Sequence, residues 1–245
     1  MSTDAASATS VPADLCARYG PTALVVGAGA GLGAAYSAQL AAAGFDLILV
    51  DRDASALDAV AADLSCATQT LVVDLAEDGA AATIATAALD DGTVGLVVAN
   101  AAASYVGAFA DQPPGSIDAV LGVNVATTTD LVHRLVPHLR ARPSSGLILM
   151  SSQSSRRGAP LVAVYAATKA YVTSLTESLH EEVKSHGVHV TALCPGLTKT
   201  EFQSVSNTEQ YADEFPEIAW TSPMETMTKF RKKAAMRVTS RETPM

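Results

Sequence analysis

Short apolar runs alternate with longer segments of helical periodicity along most of this chain. Six runs rich in valine, leucine and isoleucine have the length and the continuous apolar character of buried parallel strands. The predicted strands cover residues 22–26, 46–50, 69–73, 94–98, 146–150 and 188–193. Between them, apolar side chains recur at helical spacing, which predicts helices. The predicted helices cover residues 14–19, 32–43, 77–89, 116–140 and 161–186.

The alternation of strands and helices from residue 22 to residue 193 predicts the fold class. It indicates an α/β protein in which a doubly wound, mostly parallel, Rossmann-like sheet lies between two layers of helices in a single domain. Residues 12–200 contain all the predicted elements. Residues 1–11 are small and polar, and we expect them to form a disordered extension.

Composition and charge narrow the range of partners. The chain has 245 residues, a net charge of −9 and a pI near 4.9. It has no basic stripe that would neutralise phosphates, so we expect neither nucleic acid nor an anionic membrane as a partner. No apolar run reaches the length of a membrane span, and the N-terminus lacks a secretory signal pattern. The three cysteines are far apart, which indicates reduced thiols in a cytoplasmic protein and no metal site.

A glycine-rich turn separates the first predicted strand from the helix that follows. It reads Gly27-Ala-Gly-Ala-Gly31-Leu32-Gly33. Such a turn lets the backbone approach a pyrophosphate, which then rests against the amide donors and the positive dipole of the helix N-terminus. The alternative is a merely flexible turn, but its place between a strand and a helix favours dinucleotide binding.

Acidic residues end the second and third predicted strands. Asp51 is near the spacing at which a carboxylate binds the adenosine ribose hydroxyls, and it would repel a 2′-phosphate. Its neighbour Arg52 would pair with that phosphate, so NADP stays open although NAD is preferred. Asp74, which precedes Leu75, would either accept a hydrogen bond from the adenine amine or cap the next helix.

The longest predicted helix carries Tyr165 and Lys169 four residues apart on one face. A cation beside a phenol lowers the pKa of the phenol, which can then exchange a proton near neutral pH. Ser152 follows the fifth strand, at the edge where open α/β sheets bind ligands. Alternatively, Tyr165 and Lys169 belong only to the polar stripe of an amphipathic helix. Asn124, predicted in mid-helix, is either a structural hydrogen-bond former or a site residue.

Together these motifs resemble the short-chain dehydrogenase/reductase family over residues 22–200. The turn that contains Gly27, Gly31 and Gly33 is similar to the cofactor turn of the family. The residues that match the catalytic tetrad of the family, in order and spacing, are Asn124, Ser152, Tyr165 and Lys169. The residues that correspond to the loop around the nicotinamide are Pro195, Gly196, Thr198 and Thr200.

The resemblance implies an oxidoreductase that moves a hydride between NAD(P) and a secondary alcohol or ketone. Tyr165 would be the general acid and base, and Lys169 would lower its pKa and bind the nicotinamide ribose. Ser152 would hydrogen-bond the substrate oxygen, and Asn124 would hold a water that links Lys169 to solvent. Residues 12–200 would then be the NAD(P)-binding catalytic domain, and residues 201–245 a substrate lid and an atypical tail.

Departures from the family pattern modify these expectations. In place of the usual Asn-Asn-Ala-Gly the chain has Ala99-Asn100-Ala101-Ala102, so the first asparagine and the glycine are missing while Asn100 is kept. No convincing seventh strand follows Thr200, so we expect a homodimer through the helices at 116–140 and 161–186, with a tetramer possible. Aromatic residues after Thr200 indicate an apolar alcohol or ketone as substrate, or alternatively they only pack this segment onto the domain. If the substrate pocket is incomplete, the protein is instead a non-catalytic dinucleotide-binding or scaffold subunit.

Overall fold

The computed structural model describes residues 14–196 and Thr198. Six strands and seven α-helices alternate through this part of the chain. The strands are β1 Thr22–Val26, β2 Asp46–Asp51, β3 Thr68–Val72, β4 Val94–Ala99, β5 Ser145–Met150 and β6 Val188–Leu193. The helices are α1 Asp14–Tyr19, α2 Gly31–Ala42, α3 Ala54–Ala62, α4 Ala80–Asp91, α5 Ser116–Leu121, α6 Thr128–Arg140 and α7 Ala163–Val183. Turns of 3-10 helix cover Phe109–Asp111, Gln153–Arg156 and Lys184–His186, and a π-helical segment covers Gly122–Thr127.

The described strands form one parallel sheet in the order β3-β2-β1-β4-β5-β6. At the centre, Val26 of β1 lies opposite Val50 of β2 and Ala99 of β4. The strand order reverses between β1 and β4, so the carboxyl ends of these two strands flank the crevice at which such sheets bind ligands. The predicted doubly wound α/β sheet is confirmed.

Each face of the sheet is covered by its own buried core. Alternate residues of β1 point to opposite faces. Leu24 and Val26 pack with apolar side chains of α4, α6 and α7. Ala23 and Val25 pack with those of α1, α2 and α3. Because both faces are covered, the central strands are buried along almost their whole length, and their carboxyl ends are held in a fixed arrangement.

Helix α3 was not predicted from the sequence. Leu57 is its one buried residue, so no apolar stripe marks this helix. Asp53 caps the N-terminus instead, because its carboxylate accepts hydrogen bonds from Ser55 N at 2.9 Å and Ala56 N at 3.1 Å. The Ser55 hydroxyl donates to the same carboxylate at 2.7 Å, and this hydrogen bond together with the backbone caps lowers the pKa of Asp53.

Four predicted helices have different bounds in the structure. Helix α2 begins one residue earlier than predicted and α4 three residues later. The helix predicted over residues 116–140 is divided into α5 and α6 by the π-helical segment. Helix α7 begins at Ala163, two residues later than predicted. Leu161 has a φ of 66°, which is unusual for a leucine and lies outside the helical range. Its carbonyl accepts a hydrogen bond from Gly107 N at 2.8 Å, so the loop after β4 is tied to the start of α7.

Several expectations concern residues outside the described ranges. These are the disordered extension over residues 1–11, Thr200, and the lid and tail over residues 201–245. Within the described ranges, no helix combines the length and the apolar character needed to cross a membrane.

Candidate active site

The glycine turn between β1 and α2 is closely packed. Gly27 has a φ of 80°, and a Cβ atom there would lie 2.8 Å from the backbone of Ala101. A Cβ atom on Gly33 would lie 1.8 Å from the carbonyl oxygen of Gly27. Neither position accepts a side chain, because real Cβ contacts are longer. The first turn of α2 therefore lies directly against the end of β1, which brings the backbone to the crevice.

Asn100 holds this turn from the neighbouring strand. Its side-chain amide donates to the Gly27 carbonyl at 2.9 Å, and its backbone N–H donates to the Val26 carbonyl at 3.0 Å. The Asn100 side chain thus supports the turn, although the first asparagine and the glycine of the usual family pattern are missing here.

The N-terminus of α2 offers amide donors to a ligand. Ala30 precedes the helix, and no side chain in the described part of the chain caps it. The N–H groups of the first turn, Gly31 to Gly33, have no intrahelical acceptors, and the helix dipole adds positive potential there. This donor set fits the diphosphate of a dinucleotide.

Asp51 is bound to the same turn. Its carboxylate accepts hydrogen bonds from Gly29 N at 2.9 Å and Asp53 N at 3.2 Å. The prediction did not include Gly29. The sequence signal that could have found Gly29 is its position between Gly27 and Gly31. In the structure, a Cβ atom at Gly29 would lie 3.0 Å from the Asp51 carboxyl carbon. Gly29 thereby places the carboxylate at the rim of the crevice.

Asp74 caps a turn rather than a helix. Its carboxylate accepts a hydrogen bond from Ala76 N at 2.9 Å, whereas α4 begins only at Ala80, after Gly79. The alternative that Asp74 caps the next helix is therefore wrong. Leu75 is buried, and its carbonyl accepts a hydrogen bond from Thr127 at 2.9 Å.

Ser152, Tyr165 and Lys169 come together after the end of β5. The Ser152 hydroxyl hydrogen-bonds Tyr165. The Lys169 amine lies 5.6 Å from the centre of the Tyr165 ring and donates a hydrogen bond to the Met150 carbonyl at 2.8 Å. Helix α7 supplies Tyr165 and Lys169 from one face, as their spacing predicted. Lys169 therefore links α7 to β5 beside the phenol.

Burial controls the electrostatics of this cluster. It raises the pKa of Tyr165 to about 12, and the hydrogen bond from Ser152 opposes that rise. Burial also lowers the pKa of Lys169 to about 7, which the nearby Cys194 opposes. The expected lowering of the Tyr165 pKa by Lys169 is thus not seen. A lysine with a pKa near 7 is uncharged at the pH where a phenol with a pKa near 12 ionises, so it does not stabilise the phenolate there.

Asn124 lies in the π-helical segment, where it is buried with 1% of its surface exposed. Its side chain accepts a hydrogen bond from Ala103 N and donates one to the Ala103 carbonyl, both at 2.8 Å. It also donates to the Thr168 hydroxyl at 3.0 Å, which in turn donates to the Tyr165 carbonyl at 2.8 Å. Asn124 therefore joins the loop after β4 to the turn of α7 that carries Tyr165 and Lys169.

A pair of hydroxyl groups that was not predicted fixes the backbone of Lys169. The buried Ser151 hydroxyl lies 2.9 Å from the Lys169 carbonyl and 2.7 Å from the Thr173 hydroxyl. Thr173 itself donates to the same carbonyl at 3.0 Å. Ser151 could be found in the sequence only as a neighbour of Ser152, because these contacts join β5 to α7 through the fold.

The loop after β6 approaches the cluster from the side. Gln153 N donates a hydrogen bond to the Pro195 carbonyl at 2.9 Å, so this loop is held against the turn that follows Ser152. Thr198 is buried, and its hydroxyl donates to the Gly196 carbonyl at 3.1 Å. Pro195 and Gly196 thus lie beside the predicted catalytic residues.

Comparison with known proteins identifies the family. A family model described as short chain dehydrogenase matches residues 21–211. The chain therefore belongs to the short-chain dehydrogenase family. It is 30% identical over 201 residues to the human (Homo sapiens) inactive hydroxysteroid dehydrogenase-like protein 1, across 80% of this chain and 61% of that protein. The chain thus spans about three fifths of the length of this relative.

Solved structures share the fold. A short-chain dehydrogenase from Sphingobium yanoikuyae in complex with NADPH has a TM-score of 0.81 and 27% identity, over 89% of this chain and 85% of that chain. A 3-ketoacyl-(acyl-carrier-protein) reductase from Brucella melitensis complexed with NADH has a TM-score of 0.77 and 25% identity, over 87% of this chain and 90% of that chain.

Proposed function

We propose that the protein is an oxidoreductase that transfers a hydride between a nicotinamide dinucleotide and a secondary alcohol or ketone. The observation that carries this proposal is the cluster of Ser152, Tyr165 and Lys169, which lies at the same edge of the parallel sheet as the glycine turn. Its phenol, hydroxyl and amine stand at the carboxyl ends of the strands, where α/β sheets bind ligands. The family to which the chain belongs and its nicotinamide-bound structural relatives support the same reaction class.

The dinucleotide would lie across the carboxyl ends of β1 and β4 and would supply the hydride acceptor or donor when bound. The amides at the start of α2 would bind its diphosphate. The residues that would hold it are Gly27, Gly31, Leu32, Gly33, Asp51, Asp74, Leu75, Asn100, Tyr165, Lys169, Pro195, Gly196, Thr198 and Thr200.

The side chains of the tetrad would move and stabilise protons at the substrate oxygen. Tyr165 would donate a proton to a ketone oxygen or accept one from an alcohol. Ser152 would donate a hydrogen bond to the same oxygen and stabilise the negative charge that develops there. Lys169 would hold the nicotinamide ribose, and it would favour the phenolate in its protonated form. Asn124 would hold the loop after β4 against α7 and hold a water near Lys169.

The surroundings of Arg52 favour NAD over NADP. Asp51 would bind the ribose hydroxyls and repel a 2′-phosphate. Arg52 lines an open cavity of about 1010 Å³ on the β3 side of this position. Four carboxylates line the same cavity, namely those of Asp53, Asp74, Glu77 and Asp78. Their negative charge would offset the attraction of one arginine for a phosphate.

The partners that fit this proposal are a small apolar alcohol or ketone and a second copy of the chain, with the protein in the cytoplasm. The acidic net charge of −9 supports this choice over a polyanion. The aromatic residues that favour an apolar substrate lie after Thr200.

Substitution of Tyr165 by Phe tests the proposal. It removes the hydroxyl and keeps the ring, so turnover of a panel of secondary alcohols and ketones should fall by at least about a hundredfold. Affinity for NADH, measured by fluorescence titration beside NADPH, should change less than about threefold. Tyr171→Phe is the matched control, because Tyr171 is an exposed residue of the same helix whose hydroxyl contacts Thr129. Unchanged turnover in Tyr165→Phe contradicts the proposal.

A non-catalytic dinucleotide-binding or scaffold subunit is the second candidate. It is favoured by the human relative whose name marks it as inactive and by the high pKa of Tyr165, about 12. This candidate predicts that NADH binds while no member of the panel is turned over. Turnover of a single substrate that is lost in Tyr165→Phe rejects it.

A further inference from the structure

Ser154 makes two contacts with the hydroxyl of Ser152. Its backbone N–H donates to Ser152 Oγ at 3.2 Å, and its own hydroxyl donates to the same oxygen at 2.9 Å. Both serines are half-buried on the turn that follows β5. Ser152 in turn hydrogen-bonds Tyr165. The three residues therefore form a chain of hydrogen bonds that ends on the phenol.

The number of available protons determines which group donates in each of these hydrogen bonds. A serine hydroxyl has one proton and two acceptor lone pairs. Ser154 supplies two donors to Ser152 Oγ and so occupies both acceptor positions. The single proton of Ser152 is then left for Tyr165, and Ser152 is held as a donor toward the phenolic oxygen. Without the Ser154 hydroxyl, one lone pair of Ser152 is released and can accept the proton of the neutral phenol.

We propose that Ser154 is a positioning residue that keeps the one proton of Ser152 available for donation, to Tyr165 when no substrate is bound and to the substrate oxygen when substrate is bound. A hydroxyl that accepts a hydrogen bond becomes a stronger donor, so Ser154 also strengthens the bond that Ser152 gives. A donor toward Tyr165 stabilises the phenolate and not the neutral phenol. This role rests on the proposed function, in which Tyr165 exchanges the proton.

The two contacts of Ser154 can be separated by mutation. The contact from the backbone N–H is an ordinary cap of the short helical turn, and any residue at position 154 can make it. The contact from the hydroxyl is not needed for the cap. Ser154→Ala therefore keeps the cap and removes only the second donor, whereas Ser154→Thr keeps both.

The test is the pH dependence of kcat/KM for oxidation of an alcohol by NAD, which needs the phenolate. In Ser154→Ala the midpoint of this pH profile should move upward by about half a pH unit, which is about a threefold change in the ionisation constant of Tyr165. A shift of this size corresponds to the usual net strength of one hydrogen bond. Ser154→Thr should restore the midpoint of the natural chain. Ser155→Ala is the matched control on the same turn, because the buried Ser155 hydroxyl has no hydrogen-bond partner among the described residues.

A second measurement does not depend on turnover. The ultraviolet absorbance of the phenolate is titrated in the NAD-bound protein, and the same titration of Tyr165→Phe is subtracted to isolate Tyr165. The Ser154→Ala midpoint should again be the higher one.

If the natural chain turns over alcohols but both midpoints are unchanged in Ser154→Ala, the role of Ser154 is refuted and the oxidoreductase proposal stands. If there is no turnover at all, the oxidoreductase proposal fails and the absorbance titration alone decides on Ser154. An equal shift in Ser155→Ala also refutes the role.

Discussion

The amine of Lys169 is buried against a backbone carbonyl and has no carboxylate partner within the described residues. Its pKa falls from an ordinary value of 10.5 to about 7. Between these two values the unfolded chain binds a proton that the folded chain lacks, so stability rises with pH. Below pH 7 both states are charged and the full cost of burial applies. Lys169 should therefore increase the free energy of unfolding by at most about 1.4 kcal/mol for each pH unit above pH 7.

Urea unfolding of Lys169→Met at pH 7 and pH 9 measures this contribution. The free energy of unfolding of the natural chain should increase relative to that of the variant as the pH rises. Lys184→Met is the control, because Lys184 is exposed and forms a surface ion pair with Glu181. A difference between the natural chain and Lys169→Met that is the same at both pH values would show that Lys169 stays charged in the folded protein.

At the scale of elements, strands were predictable and several links between them were not. All six strands lie within one residue of their predicted bounds, because continuous β-branched and leucine runs are local signals. Helix α3 buries only Leu57 and gives no such signal. Leu161 is held at positive φ beside a hydrogen bond from Gly107, and this contact spans a long stretch of chain. Local sequence does not encode such a contact.

Some features of the candidate site could likewise be predicted from the sequence, and others could not. The spacing of Tyr165 and Lys169 predicted that they share one helix face, since four residues make about one turn. Their pKa values could not be predicted from that spacing, because burial arises from the packing of β5, β6 and α7 around them. The tie made by Asn124 likewise depends on a loop that follows a different strand.

Asn124→Ala measures the strength of that tie. The substitution leaves the N–H and carbonyl of Ala103 without the partners they have in the structure. The free energy of unfolding in urea should fall by about 2 to 3 kcal/mol, as is usual when buried polar groups lose their hydrogen bonds. Thr129→Val removes one exposed hydrogen bond to Tyr171 and should cost less than about 0.5 kcal/mol. Equal losses in the two variants would contradict a structural role for Asn124.

At the scale of the whole molecule, α5 and α7 pack together and expose apolar surface beside the candidate site. Leu121 of α5 is 43% exposed and Tyr171 of α7 is 39% exposed. We expect this surface to bury itself against the same surface of a second copy, because twofold dimers pair identical patches.

Leu121→Glu would then place a carboxylate in an apolar contact at a cost of about 3 kcal/mol, which weakens the dimer about a hundredfold. Leu89→Glu is the matched control, since Leu89 is 44% exposed on a different helix, α4. Light scattering should give a dimer for the natural chain and for Leu89→Glu, and a monomer for Leu121→Glu with unchanged circular dichroism. A monomeric natural chain, or a dimer that persists in Leu121→Glu, would contradict assembly through α5 and α7.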